Sequence, residues 1–452
     1  MSADRGARLG RHWPLRGLVA LRGEYPRVVL VLAAGDLVAS FGFSLFFPFL
    51  TIYLVQTLKA SAAEAGLVIA AYSLCSIVSG IVGGWLADRI GRRPVLIGSV
   101  SCSTVLVFSM AFVTQAWQVG LVMLLLGCID PAFVPAARAA VADTVEEERR
   151  PRVFGLLAVA NAVGWIAGPV IGAGLSTLGY PLLFAVSGLL IGAYVVIAGR
   201  WLPETHPARG GAAATPNDER TGVSTAPPSA GGGRLPRDGP DEAIDPARLR
   251  VFIAFLPLLA LTEALAFLWV TTLPIYAAGA LGLPIPLWGL LFGLNGLLIV
   301  VFQMRVARSF EGRSKPRLIA LSLVLYMAGL GLVAFLSSAS ALPGLAATIV
   351  LVTLGELILM PIVPAFVSDL APVHRRGAFQ GLAQAATGLG SAVGPPVAGA
   401  ILDAGQAAML WLGCAAILGL VALAFVGLAR WTDELALPAA RERLRIAMPD
   451  TP

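Results

Sequence analysis

Four carboxyl side chains stand where a carboxyl is costly. Asp36, Asp130 (beside Pro131), Glu263 and Glu356 each lie inside a long apolar run. An ionised group at the centre of a membrane-spanning helix costs about 2.5 to 3.5 kcal/mol on insertion scales. A carboxyl kept there can take up a proton near neutral pH and release it when its cavity hydrates, or it can hold a cationic solute. The competing role is a structural hydrogen bond to Asn161, Asn295 or a helix backbone. Arg138, in the same run as Asp130, can pair with one of these acids or extend its guanidinium to nearby water. Gln303 and Gln384 are further candidates for a polar cavity wall. Phe41, Phe43, Phe46, Phe47, Phe49 and Tyr53 follow Asp36 closely; they could wall a site for an aromatic cation, although most are expected to face lipid.

Other chemistries lack their parts. His12, His206 and His374 fall in flanks or loops, and no GxSxG elbow occurs. A phosphate loop needs Gly-Lys, yet Lys59 and Lys315 follow Leu58 and Ser314. The Gly329-Leu-Gly331 run sits inside an apolar segment and reads as packing. Cys75, Cys102, Cys128 and Cys414 also lie in apolar runs without metal-ligand spacing. Neither an enzyme nor an ATP-driven pump is expected, and no cofactor or metal.

The elements that hold the acids follow from composition. With 57% hydrophobic and 13% charged residues, against about 25% charged in soluble domains, water is not the main solvent. Apolar runs of helical membrane-spanning length recur almost end to end. They predict spans 1 to 6 at 28–55, 62–87, 95–114, 117–142, 153–178 and 181–199, and spans 7 to 12 at 251–280, 287–306, 318–336, 345–367, 379–402 and 407–429. The first run is too long for a signal-peptide core and no small-residue cleavage site follows it, so it is expected to remain.

Charge between the spans orients them. Arg5, Arg8, Arg11, Arg16, Arg22 and Arg27 precede span 1. Arg89, Arg92 and Arg93, then Arg149, Arg150 and Arg152, then Arg308, Arg313 and Lys315, then Arg375 and Arg376 fall on the same side; Lys59 alone is basic on the other. Short cytoplasmic loops retain Lys and Arg, so both termini are expected in the cytoplasm of a cell membrane. The net charge of +6 is spread in short clusters and not along one basic face, so nucleic acid is not an expected partner. The reading divides the chain into a basic N-terminus (1–27), a six-helix half (28–200), a Gly, Pro and Ser rich disordered linker (201–249), a second half (250–430) and a tail (431–452).

The halves are related. An offset of 226 brings Asp143 onto Asp369, Arg149 and Arg150 onto Arg375 and Arg376, Gly155 onto Gly381, and Gly164, Gly168 and Pro169 onto Gly390, Gly394 and Pro395. An offset of 223 brings Tyr53 and Gly66 onto Tyr276 and Gly289. Such repeats put a solute site near the midplane, between the halves.

Between spans 2 and 3 the chain reads Gly84-Trp-Leu-Ala-Asp88-Arg89-Ile-Gly91-Arg92-Arg93. This resembles the GxxxD(R/K)xG(R/K)(R/K) loop of the major facilitator superfamily, and the resemblance covers nearly all of the chain except its ends and linker. It implies the major facilitator fold, an all-α membrane protein of twelve helices in two pseudo-symmetric halves. Gly84 is expected to allow a close helix approach and Gly91 a tight turn. The resemblance also implies that Asp88 faces the start of span 11 near Gly377 to Gly381, where the helix dipole favours a carboxylate, and latches the halves while the cavity opens outward. Arg89, Arg93 and Asp143 could complete a network there; Arg92 is read foremost as a solvated charge that sets topology.

In span 5, Gly164-Trp-Ile-Ala-Gly168-Pro169-Val-Ile-Gly172-Ala173 is similar to the GxxxGPxxGG pattern of exporters in this superfamily, with Ala173 at the last glycine. Pro169 removes one backbone hydrogen bond and is expected to bend the helix. Span 11 carries nearly the same run at Gly390, Gly394 and Pro395, so part of the signal belongs to the repeat. The RxxxG of many proton-driven relatives is missing, because Met123 stands four before Gly127. The reading is a monomeric secondary transporter that exports small amphipathic or drug-like compounds against a proton gradient. A proton-coupled importer of a sugar or organic acid is the nearer rival, and a non-transporting receptor or scaffold the farther one.

Overall fold

A computed structural model of the chain describes residues 25–146, 149–205, 245–310, 313–372 and 375–447. Twelve helices among them are long and apolar enough to cross a membrane. They are α1 Arg27–Thr57, α2 Ala62–Ile90, α3 Arg92–Phe112, α4 Ala116–Thr144, α5 Arg152–Leu178, α6 Tyr180–Trp201, α7 Pro246–Gly279, α8 Ile285–Val306, α9 Lys315–Val333, α10 Ser338–Leu370, α11 Arg376–Asp403 and α12 Ala407–Thr432. Helices are the expected solution, because hydrocarbon offers no partner to an unpaired backbone group. Where the chain turns, local chemistry ends the helices. Ser61 and Glu64 form a capping box at the start of α2, and Gly91, at φ 105°, ends it. Ile81, Val105, Phe335 and Leu420 are more than 60% exposed, a surface suited to lipid and not to water.

Irregular turns interrupt α1, α4 and α7, and two of the breaks adjoin the acids. The C-terminal end of α1 loosens into a π-helical turn, Tyr53–Thr57. In α4, Asp130–Ala132 form a 3-10 turn, where Pro131 cannot donate to the preceding turn. Helix α7 is built of Pro246–Ala266, Leu268–Thr271 and Leu273–Gly279.

Each half repeats one packing scheme. Helix α1 lies on α5 and α6, α2 on α4, and α3 on α6; in the second half α7 lies on α11 and α12, α8 on α10, and α9 on α12. The halves meet through α2 with α11 and α5 with α8, which are themselves equivalent pairs. At both seams a glycine permits the approach. A Cβ on Gly66 would come within 2.5 Å of the Pro395 backbone, and one on Gly289 within 2.6 Å of the Pro169 carbonyl oxygen. These contacts lie near the starts of α2 and α8, at the end opposite the arginine-rich loops. There Asp403, closing α11, accepts the N–H of Ala62 at 2.8 Å and of Ala63 at 2.9 Å. At the basic end, side chains added to Gly155, Gly377 or Gly381 would meet nothing within 4 Å. The halves are thus sealed at one end and parted at the other.

Three expectations need correction. Residues 201–205 and 245–249 are not disordered: Trp201 is helical, Glu204 accepts the backbone N–H of Arg92 at 3.0 Å and of Arg93 at 3.3 Å, and α7 starts at Pro246, capped by Asp245. The rest of the expected linker, 206–244, lies outside the described residues, as do 1–24 of the N-terminus. Past Thr432 the last helix continues to Ala447, through most of the expected tail. The aromatic side chains of α1 turn inward: Phe46 and Tyr53 are buried against Phe184 of α6, and Phe49 is buried beside Gly172 of α5, because α5 and α6 cover α1 on both sides.

Candidate substrate cavity and its carboxyl groups

Between the halves lies a cavity of about 890 Å³, lined by α1, α4 and α5 from one side and α7, α8 and α10 from the other. Its walls are largely aromatic. Phe47 and Trp165 lie 6.2 Å apart between ring centres, and Trp269 and Phe292 4.9 Å apart. Its polar groups are few: Asp36, Arg138 and Asn161 on the first half, Asn295 and Glu356 on the second. A large apolar chamber with a small convergent polar set is what a small-molecule site requires.

Asp36, on α1, accepts from Ser40 Oγ at 3.4 Å and from Asn161 Nδ2, on α5, at 3.3 Å; the same Asn161 nitrogen reaches Ser40 Oγ at 2.5 Å. Asp130 sits behind it at the break in α4 and accepts from Ser103 Oγ, on α3, at 3.0 Å. Both acids, with Tyr72 of α2, line a side cavity of about 210 Å³.

In the second half Glu356, on α10, is held by Trp269 Nε1 at 3.0 Å and by Asn295 Nδ2 at 2.6 Å, and Asn295 also donates to Thr353 at 2.9 Å. The Tyr326 side chain, on α9, lines the same side cavity as this carboxyl. Glu263 faces Glu356 across a side cavity of about 380 Å³, which Tyr326 and Thr387 also line. The expected partner asparagines are therefore real, and they belong to Asp36 and Glu356. Among the described residues no side chain donates to Glu263. Arg138 faces the central cavity without an ion pair among the described residues, so the pairing expected of it is not made. Gln303 instead reaches the Leu357 carbonyl oxygen at 3.4 Å, and Gln384 is exposed.

At the basic end, Arg92 is buried, contrary to the expectation of a solvated charge. Its guanidinium lies 2.8 Å from Asp143 and 3.2 Å from Asp88, and donates to the Ala87 carbonyl oxygen at 3.0 Å. Helix α3 turns it inward at its first residue. Arg93 reaches the Gly199 carbonyl oxygen at 2.7 Å, and Arg89 stacks over Trp85 at 4.3 Å. Asp88 pairs with Arg92 on its own side while the start of α11, the expected partner, faces open space. A repeat-related pair joins Lys315 to Asp369. Gly91 makes the expected turn, whereas the close approach assigned to Gly84 belongs to Gly83: a Cβ there would lie 2.5 Å from Ala132 Cα, against 3.7 Å from Pro135 for Gly84.

Five of the span 5 and 11 glycines pack within their own halves. Gly164, Gly168 and Gly172 abut α1 at Phe41, Ser44 and Leu45, and Ser44 Oγ donates to the Gly164 carbonyl oxygen at 2.9 Å; Gly390 and Gly394 abut α7 at Ala260 and Ala264. The prolines, by contrast, serve the seams between halves. Tyr72, Ser103, Trp269, Tyr326, Thr387 and Asp403 were not singled out in the sequence. The signal was available for several: the offsets of 223 and 226 carry Tyr72 onto Asn295, Ser103 onto Tyr326, Asp130 onto Glu356 and Asn161 onto Thr387.

Known proteins of this build are transporters. An uncharacterized MFS-type transporter, YqjV, of Bacillus subtilis (strain 168) is 26% identical over 413 residues, covering 90% of this chain and 94% of its own. The multidrug resistance protein MdtH of Cronobacter sakazakii (strain ATCC BAA-894) is 28% identical over 375 residues, covering 81% and 84%. A crystallised POT family transporter in complex with a thioalcohol-conjugated peptide superposes with a TM-score of 0.73 at 13% identity, over 90% of this chain and 96% of that one. The Major Facilitator Superfamily family model matches residues 32–342 and 312–445. With its two six-helix halves and the cavity between them, this chain belongs to the Major Facilitator Superfamily, a family of membrane transporters and not of enzymes.

Proposed function

We propose that the chain exports small amphipathic, drug-like compounds across the cell membrane in exchange for protons. One observation carries the reading: the cavity between the halves is walled by Phe47, Trp165, Trp269 and Phe292 and carries one carboxyl from each half, Asp36 and Glu356. Aromatic faces and carboxylates together favour an amphipathic cation. Relatedness to proteins named for multidrug resistance supports the same substrate class. With both termini in the cytoplasm, the basic end is the inner one, and the arrangement described is the inward-facing state that loads solute from the cell.

Transport then proceeds by rocking the halves. Protons arriving from outside compete with the solute for the carboxyls, and the basic end closes as the seams at Gly66 and Gly289 part. Asp88 reaches the start of α11 in that second state and steadies it. The test is flux in proteoliposomes of the purified protein, using ethidium and a panel of uncharged and anionic solutes, with an imposed pH gradient. Ethidium accumulating against its gradient, and collapsing on addition of a protonophore, is the expected result. Uptake of a sugar or organic acid with the proton would replace export by import, and no movement across the panel would leave a receptor or scaffold.

A further inference from the structure

The two side cavities are one cavity built twice. Under the same offsets, 223 for the first three helices of each half and 226 for the next three, seven positions that line the first cavity line the second. Among them Asp130 corresponds to Glu356 and Asn161 to Thr387. Ser40 corresponds to Glu263, and Ser40 lies one helical turn from Asp36, to which it donates. Two further correspondences lie at the hydrogen bonds. Ser103, which holds Asp130, matches Tyr326, which lines the second cavity with Glu356. Tyr72, beside Asp130, matches Asn295, also on Glu356. Each half thus has one carboxyl on its fourth helix, with a hydroxyl side chain at the equivalent place on its third, and a second carboxyl on its first helix.

We propose that each half carries its own proton site, the pair Asp36 and Asp130 in one and the pair Glu263 and Glu356 in the other, so that the chain binds two exchangeable protons. The inference rests on the proton-coupled reading above and deepens it. Two carboxylates across one small apolar chamber repel each other, and one shared proton relieves the repulsion. Each pair also has a front and a rear member. Asp36 and Glu356 line the central cavity as well as their own side cavity, whereas Asp130 and Glu263 line the side cavities only. Solute reaches only the front acid, and its positive charge there displaces the proton that the pair shares.

The charged and titratable neighbours are few. Facing the first pair are Tyr72 from α2, Tyr194 from α6 and Arg138 from α4; facing the second is Tyr326 from α9, with no basic residue lining that cavity. Among the described residues no basic side chain lines either side cavity, and Arg138, which lines only the central one, makes no ion pair with Asp36.

Infrared difference spectroscopy of the full-length protein in lipid nanodiscs, titrated with acid, reads this without any solute. Two protonated-carboxyl bands are expected. Asp130→Asn removes one and leaves the other, Glu263→Gln does the reverse, and the double variant loses both. Asp130→Glu and Glu263→Asp, which keep a carboxyl, shift their own band and spare the other, and they serve if the neutral variants fold poorly. A single band, or one substitution erasing both, overturns the inference. Two independent bands in a protein that moves no solute uphold it while the export reading fails; ethidium export with one titrating band does the opposite.

Discussion

The carboxylate of Asp403 caps the helix that begins at Ala62, joining the last turn of α11 to the first turn of α2 across the seam between the halves. A carboxylate at a helix N-terminus takes up unpaired N–H groups and meets the positive end of the dipole. The bond exists only while this end is sealed, so it weights the conformational balance.

Asp403→Ala is expected to shift that balance toward the state open at this end. Charge-assisted hydrogen bonds contribute about 1.5–3 kcal/mol, so a shift of roughly ten- to 150-fold follows. Maleimide labelling of Ala65→Cys, with the four native cysteines replaced, measures it: labelling from the outer side should rise in the Asp403→Ala background. Unchanged labelling would remove Asp403 from the gate.

Gly66→Val and Gly289→Val should behave alike. Each puts carbon where the backbone of Pro395 or Pro169 already lies, and overpacking of this kind costs about 1–3 kcal/mol. Both variants should reach the membrane at normal levels and lose most of their flux, because the sealed state no longer closes. Equal flux in the wild type and either variant would show that the seam does not gate transport.

The two basic-end ion pairs should differ in strength. Arg92 and Asp143 are 10% and 17% exposed, Lys315 and Asp369 28% and 60%. Removing Asp143 leaves a buried guanidinium with one exposed partner. Asp143→Asn should therefore cost on the order of 1–3 kcal/mol, against below about 1 for Asp369→Asn. The midpoints of thermal unfolding in detergent, ranked in that order, test the difference.

Trp269→Phe keeps the aromatic wall and deletes one donor to Glu356. About 1 kcal/mol is at stake, so flux driven by a pH gradient should fall roughly fivefold. Glu356→Gln should fall much further. If Trp269→Phe were as damaging as Glu356→Gln, the indole would have a role beyond holding the carboxyl.

Much of this architecture is written in local chemistry. Apolar runs must become helices in a solvent without hydrogen bonds, so the twelve spans are readable one at a time, and the offsets that align Gly66 with Gly289 and Pro169 with Pro395 reveal the two halves. Costly acids stand out for the same reason, and so Asp36, Asp130, Glu263 and Glu356 could be found before any fold. The motif around Asp88 is legible too, because its residues are adjacent in the chain.

What joins residues far apart in the chain is not written there. Whether Arg92 meets water or Asp143 depends on how α3 is rotated against α4. The four acids separate into two pairs only because α1 folds against α4 and α7 against α10, and Glu204 finds the start of α3 only when α6 ends beside it. Asp403 reads as an ordinary loop acid until α11 and α2, 340 residues apart at this contact, cross at the sealed end. A helix's apolar pattern fixes that it enters the bilayer, but rotation, partner and facing state come from side chains fitting one another, and that fit exists only in three dimensions.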